Sequence, residues 1–248
     1  MTTKVLILGG TREARALAGL ATGEPGLEVV SSLAGRVREP VLPGGEVRIG
    51  GFGGTDGLRK WLADNDIGLV VDATHPFAST ISAHACEAAR SARVPLLHLR
   101  RPGWTQQPQD RWLRVPDLSA AARAAGDHGR VFLTVGRQGV GYFADLSRSW
   151  FLIRAIDPPT GPVPPHHLLL LARGPFTVAT ELRVLREHRI GALVTKDSGG
   201  ELTEAKLIAA RQYGIPVIVV DRPPAPAGAD RADTVAAAWK WLRGRTPR

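Results

Sequence analysis

The sequence predicts an α/β protein made of two parallel-sheet domains with a cleft between them. Three observations carry that prediction. Short apolar runs alternate with longer helical patterns along nearly the whole chain, as successive β-α-β units require. The first apolar run ends in a glycine pair that opens a helical pattern. A polar stretch at 101–111, with two prolines, a glycine and three glutamines, interrupts the alternation, which then starts again.

The elements follow in order. Residues 5–8 read as a buried strand, Gly9 and Gly10 as its turn, and 12–21 as a helix. Residues 27–31 read as a second strand. Thr55 is placed as the N-cap of a helix with Leu58, Trp61 and Leu62 on one face. The strand 69–71 runs into Asp72, and Pro76 fits the first turn of a helix ending near residue 92. A strand at 94–98 completes a Rossmann-like dinucleotide-binding domain, residues 1–100. The second domain, residues 101–248, is read as Rossmann-like and substrate-binding. It holds a helix at 118–125 and strands at 131–135, 150–156 and 167–171. Thr177 caps a helix carrying Val178, Leu182 and Leu185. A strand at 192–195, a helix at 203–213 stopped by Gly214, a strand at 215–220 and a helix at 233–243 complete it.

Composition narrows the function. A chain of 248 residues, 44% hydrophobic and 22% charged, buries a core without staples. Its one cysteine, Cys86, excludes an internal disulfide framework and fits a reducing compartment. The apolar run at 5–8 is too short for a signal h-region or a membrane span. A cytoplasmic protein with no membrane partner is expected. The net charge of +9 attracts polyanions. The cations are scattered, and the six tryptophans do not interleave with them as a nucleic-acid platform would require. Arginine over lysine suits bidentate contacts with carboxylates and phosphates.

Chemistry concentrates at strand ends. Gly9-Gly-Thr-Arg-Glu-Ala14 follows the first strand. Such a turn aims backbone N–H groups and a helix N-terminus at an anion, although the full G-x-G-x-x-G fingerprint is absent. An acidic residue closing the second strand would favour NAD. Ser31, Ser32 and Arg36 stand there instead and suit the 2′-phosphate of NADP. The cluster Gly50-Gly-Phe-Gly-Gly54 reads equally as a phosphate-adjacent turn or a surface loop. Asp72-Ala-Thr-His-Pro-Phe-Ala78 ends a central strand, directing Thr74 and His75 to the ligand edge. In the second half, Arg137, Arg173 and Lys196, the last followed by Ser198 and Gly199, supply cations at glycine-rich turns, a site for several carboxylates. No ligand spacing for a metal, no serine elbow, no P-loop and no Cys–His arrangement on Cys86 is read, and Cys86 is assigned to the core.

These motifs resemble the precorrin-6A reductase family of cobalamin biosynthesis. Gly9–Ala14, Asp72–Ala78, Gly136-Arg-Gln138, Lys196-Asp-Ser-Gly-Gly200, Ile215-Pro-Val-Ile218 and Arg222-Pro223 carry the likeness in order over nearly the whole chain. Asp197 stands where the family pattern more often has Asn. The resemblance implies NADPH-dependent reduction of a ring double bond of precorrin-6A to give precorrin-6B. Combined with the residue reading, it places the cofactor on Gly9, Gly10, Thr11, Arg12 and Glu13, with Ser32, Arg36, Thr74 and Phe77. The acidic tetrapyrrole falls to His75, Arg137, Arg173, Lys196, Ser198 and Gly199, with His75 also the candidate proton donor. A transient contact with the next pathway enzyme is the one protein partner this reading allows. The rival readings are an NADPH-dependent reductase of another small acidic substrate and a basic nucleic-acid-binding protein.

Overall fold

The computed structural model describes residues 2–34 and 44–246. The chain divides into two compact units, one of residues 1–102 with 224–248 and one of 103–223.

The first unit begins β1 (Thr3–Leu8), α1 (Arg12–Ala21), β2 (Leu27–Leu33), β3 (Glu46–Ile49), α2 (Gly54–Asp64), β4 (Ile67–Asp72), α3 (Ser79–Ala92) and β5 (Leu96–Leu99). The second contains β6 (Trp112–Val115), α4 (Leu118–Ala125), β7 (Arg130–Thr134), a 3₁₀ turn (Arg137–Phe143), β8 (Trp150–Ala155) and β9 (His167–Leu171). It continues with α5 (Val178–Glu187), β10 (Ala192–Lys196), a short 3₁₀ turn (Glu201–Thr203), α6 (Ala205–Tyr213) and β11 (Val217–Val220). The chain then returns to the first unit as β12 (Asp230–Ala232) and α7 (Val235–Arg243).

Among the described residues the strands form two six-stranded sheets, ordered β3-β2-β1-β4-β5-β12 and β9-β8-β7-β10-β11-β6. Every pairing is parallel. Both orders are those of a doubly wound sheet, with one reversal of strand order at its centre. Helices cover both faces, which is why the central strands are continuous apolar runs rather than alternating ones. Val5 and Ile7 of β1 face a core shared with α1 and α7, while Leu6 and Leu8 face α2 and α3. In the second unit Phe132, Leu193 and Val217 pack with Leu185 of α5 and Leu207 of α6.

Three expectations are corrected here. The sequence reading gave residues 224–248 to the second half, yet β12 pairs with β5, and Ala238 and Leu242 of α7 are fully buried in the first core. The three residues of β12, Asp-Arg-Ala, form no apolar run that periodicity could detect. The edge strands β3 and β6 escaped for the same reason, being short and polar on one side. Thr55 is not a cap. The left-handed Gly53 (φ 79°) precedes α2, and no side chain caps it. Pro76 lies ahead of α3, whose N-cap position is Ala78, so residues 73–77 form a turn rather than a helix start.

Candidate functional site

Ligands of doubly wound sheets bind beyond the carboxyl ends of the strands, where the order reverses. In the first unit that point lies between β1 and β4. Thr11 caps α1, its Oγ1 accepting from Ala14 N at 3.1 Å and donating to Ala73 O at 2.7 Å. Ala73 N donates to Leu8 O at 3.0 Å, so the turns after β1 and β4 are bolted together. Gly9 N donates to Ser32 O at 2.9 Å, which adds the end of β2. Gly10 has φ 109°, a conformation suited to glycine, and a Cβ there would meet nothing within 4 Å. This open backbone at a helix N-terminus is the geometry that takes a pyrophosphate. Arg12 is exposed. Glu13 is paired with Arg101 at 2.7 Å, which neutralises a carboxylate that would otherwise repel an anion.

The 72–78 turn is fixed from beneath. Asp72 is 4% exposed. Its Oδ1 accepts from Thr74 N at 3.1 Å and Thr74 Oγ1 at 2.6 Å, and its Oδ2 lies 3.1 Å from His98 Nδ1. Burial works against the charge of Asp72, yet hydrogen bonds from His98, Ser82 and Thr74 outweigh it and hold the carboxyl below its ordinary range. His75 is exposed. Its Nδ1 accepts from Phe77 N at 3.2 Å, and the two rings sit 5.8 Å apart, tilted.

His98 Nε2 lies 3.2 Å from Cys86 Sγ. This corrects one expectation, since a Cys–His pair exists on Cys86. The residue itself is part-buried and packs against the core of the first unit. Sequence spacing cannot find it, because the pair joins a mid-helix residue of α3 to a strand residue of β5. Burial and then the charge of Asp72 push the thiol upward, so it is no activated nucleophile. Among the described residues no group of three candidate ligands could hold a metal ion.

In the second unit the reversal falls between β7 and β10. Thr134 Oγ1 donates to Val194 O at 3.0 Å across those strands. The turn after β7 differs from that after β1. Gly136 (φ 75°) leads into a 3₁₀ segment, not an α-helix. Arg137 stands there, 3.9 Å from Asp157. Lys196 closes β10, and burial pulls its ammonium group down. Asp197 is 4% exposed. It accepts from Trp104 N at 3.1 Å and Arg114 Nη2 at 2.9 Å, while its carbonyl accepts from Arg222 at 2.7 Å. Ser198 is buried, with Oγ 3.1 Å from Thr203 Oγ1. Arg137, Lys196, Ser198 and Gly199 therefore share the reversal point. Arg173 follows β9, two strands from β7, and is exposed.

Beneath these turns lies a charged cluster that sequence reasoning missed. Arg154 and Glu181 pair at 2.7 Å, both nearly inaccessible. The Arg154 guanidinium lies 3.9 Å over Phe176, in the turn that carries Arg173. Lys206 Nζ donates to Thr203 O at 2.8 Å and sits over the Trp104 ring. Burial, reinforced by Arg154 and only partly opposed by Glu181, lowers the Lys206 ammonium from 10.5 to about 7.

Residues 4–243 match the family described as precorrin-6x reductase CbiJ/CobK. The chain belongs to this reductase family. A precorrin-6A reductase of Rhodococcus erythropolis is 56% identical over 247 residues, covering 99% of this chain and 100% of that one. One from Mycobacterium tuberculosis (strain ATCC 25618 / H37Rv) is 51% identical over 244 residues, 98% of each chain. A solved structure of CobK precorrin-6A reductase superposes with a TM-score of 0.91 at 45% identity, covering 100% of this chain and 99% of its own. The precorrin-6x reductase match spans both units described above. Arg36 lies outside the described residues. No described helix is long and apolar enough to cross a membrane.

Proposed function

We propose that the chain reduces a ring double bond of precorrin-6A with NADPH, giving precorrin-6B, as a cytoplasmic step of cobalamin biosynthesis. The observation that carries this is end-to-end similarity to a precorrin-6A reductase at 56% identity. NADPH, held by residues of the first unit, would supply the hydride for one ring carbon, and the neighbouring carbon would take up one proton.

The residues of the first unit fit that cofactor. Gly9, Gly10 and Thr11, with the amide groups of Arg12 and Glu13, offer the pyrophosphate a helix N-terminus and an open backbone. The corresponding turn of the second unit leads into a 3₁₀ segment with a weaker dipole, which favours the first unit as the cofactor's place. Ser32 stands at the ribose end. Thr74, held by Asp72, and Phe77, whose N–H donates to His75 Nδ1, face the same edge and orient the nicotinamide. His75 is exposed there, with Nδ1 accepting a backbone N–H, so its Nε2 carries the proton of the neutral ring. That makes His75 the candidate donor. Arg137, Lys196 and Arg173, with Ser198 and the Gly199 amide, bind substrate carboxylates. Each charge-assisted hydrogen bond is worth about 1.5–3 kcal/mol.

The test is turnover of precorrin-6A by the purified protein. One NADPH consumed per substrate, with a product two mass units heavier, is expected. Arg137→Ala and Lys196→Ala each raise KM about tenfold or more with NADPH affinity unchanged. His75→Ala lowers kcat about 10²-fold or more with both binding steps intact. Absence of NADPH consumption with precorrin-6A overturns the reading, and near-normal turnover in His75→Ala removes that residue from proton transfer.

A further inference from the structure

The discrimination between NADPH and NADH needs a cation beside the ribose, at the carboxyl end of β2. β2 ends in Ser31-Ser32-Leu33 with no carboxylate, so nothing there selects a free 2′-hydroxyl. The neighbouring strand β3 supplies what β2 lacks. Arg48 pairs in register with Ser32, near the same strand ends. Its guanidinium is fixed on three sides. Nη1 donates to Gly50 O at 2.7 Å, Nη2 to Gly51 O at 2.6 Å, and the plane lies 3.8 Å over the Phe52 ring. Nη1 also reaches Ser32 Oγ at 3.5 Å. All these partners are neutral, and among the described residues no carboxylate pairs with Arg48. The residue is only part-buried.

A fork held by backbone carbonyls keeps its full positive charge and loses little further entropy on meeting a ligand. The Gly9 N–H to Ser32 O bond ties this corner to the pyrophosphate turn. An anion on the ribose of a dinucleotide seated on Gly9–Glu13 therefore falls beside Ser32 and Arg48.

We propose that Arg48, with the Ser32 hydroxyl, is the specificity-determining site for the 2′-phosphate of the cofactor. The proposal rests on the NADPH reading given above. It also gives the Gly50–Gly54 cluster a role. Gly50 (φ 123°) bends the chain so that the carbonyls of residues 50 and 51 turn back to orient the guanidinium.

The experiment titrates the full-length protein with NADPH and with NADH by nicotinamide fluorescence, and with 2′-AMP and 5′-AMP as competitors. Arg48→Gln is expected to weaken NADPH about tenfold or more, to leave NADH unchanged, and to abolish the advantage of 2′-AMP over 5′-AMP. Arg48→Lys, which keeps the charge but not the fork, is expected to retain part of the preference. Equal weakening of NADPH and NADH in Arg48→Gln would mean that Arg48 only props its turn, and it overturns the proposal. So does an intact preference in Arg48→Gln that is lost in Arg36→Ala. A wild-type protein that binds NADPH and NADH alike overturns the NADPH reading itself, which separates the two failures.

Discussion

At the scale of single residues, the candidate site depends on groups that are buried and on groups that are not. Lys206 is the clearest of the former. Its ammonium holds a proton in the folded chain only below about pH 7, against an ordinary 10.5. Between those values the unfolded chain binds more protons, so this residue makes stability rise with pH. The slope is at most about 1.4 kcal/mol per pH unit. Lys206→Met is expected to flatten that rise in urea midpoints measured from pH 6 to 9, and to stabilise the protein most at the acid end. Identical slopes in wild type and variant would contradict it. Asp72 behaves oppositely. Its lowered carboxyl contributes stability above the ordinary carboxylate range, and that stability is lost as pH falls through its folded value. Of these groups the sequence reading reached Asp72 through its motif, because a strand end followed by Thr-His-Pro is a local signal. It could not reach His98, Lys206 or Arg48. Each acquires its meaning from a partner brought by another strand or helix, such as Asp72 across the β4–β5 register.

At the scale of elements, the turns after β1 and β4 act as one piece, joined by Thr11. Its hydroxyl caps α1 and also donates to Ala73 O. Thr11→Val removes both bonds while keeping shape. A loss of about 1–2 kcal/mol is expected, with weaker NADPH binding, read from urea midpoints and fluorescence titration. Unchanged stability would mean the two turns are positioned by strand pairing alone. The helices α1 and α4 were legible from sequence to the residue, because glycine, cap and apolar period agree. The start of α2 was misread because Thr55 resembles a cap, while the chain uses the positive-φ glycines Gly53 and Gly54 to enter the helix. The apolar core strands were legible. The edge strands β3, β6 and β12 were not, since a short strand with one solvated side has no run to recognise, whereas the edge strand β9 carries a run of leucines at 168–171 and was read at its full length.

At the scale of the whole molecule, the two sheets share one strand order, yet each takes its sixth strand from outside the simple succession. β12 reaches the first sheet from the end of the chain, and β6 precedes the other strands of the second. A boundary drawn by composition at residue 100 found the break but not the return. The first unit's core includes Ala238 and Leu242, with Trp239 and Trp241 packed against it. A chain ending at Pro223 is therefore expected to lose soluble, cooperatively folded first unit and all NADPH binding, followed by tryptophan fluorescence and titration. Retained binding would show that α7 and β12 are dispensable there. The most direct test of the cofactor's place is hydrogen exchange of the intact protein with and without NADPH. With the cofactor on the first unit, amides at 9–14 and 72–78 exchange more slowly on binding, and those at 134–140 do not. Protection confined to 134–140 and 195–200 would contradict it and put the cofactor on the second sheet.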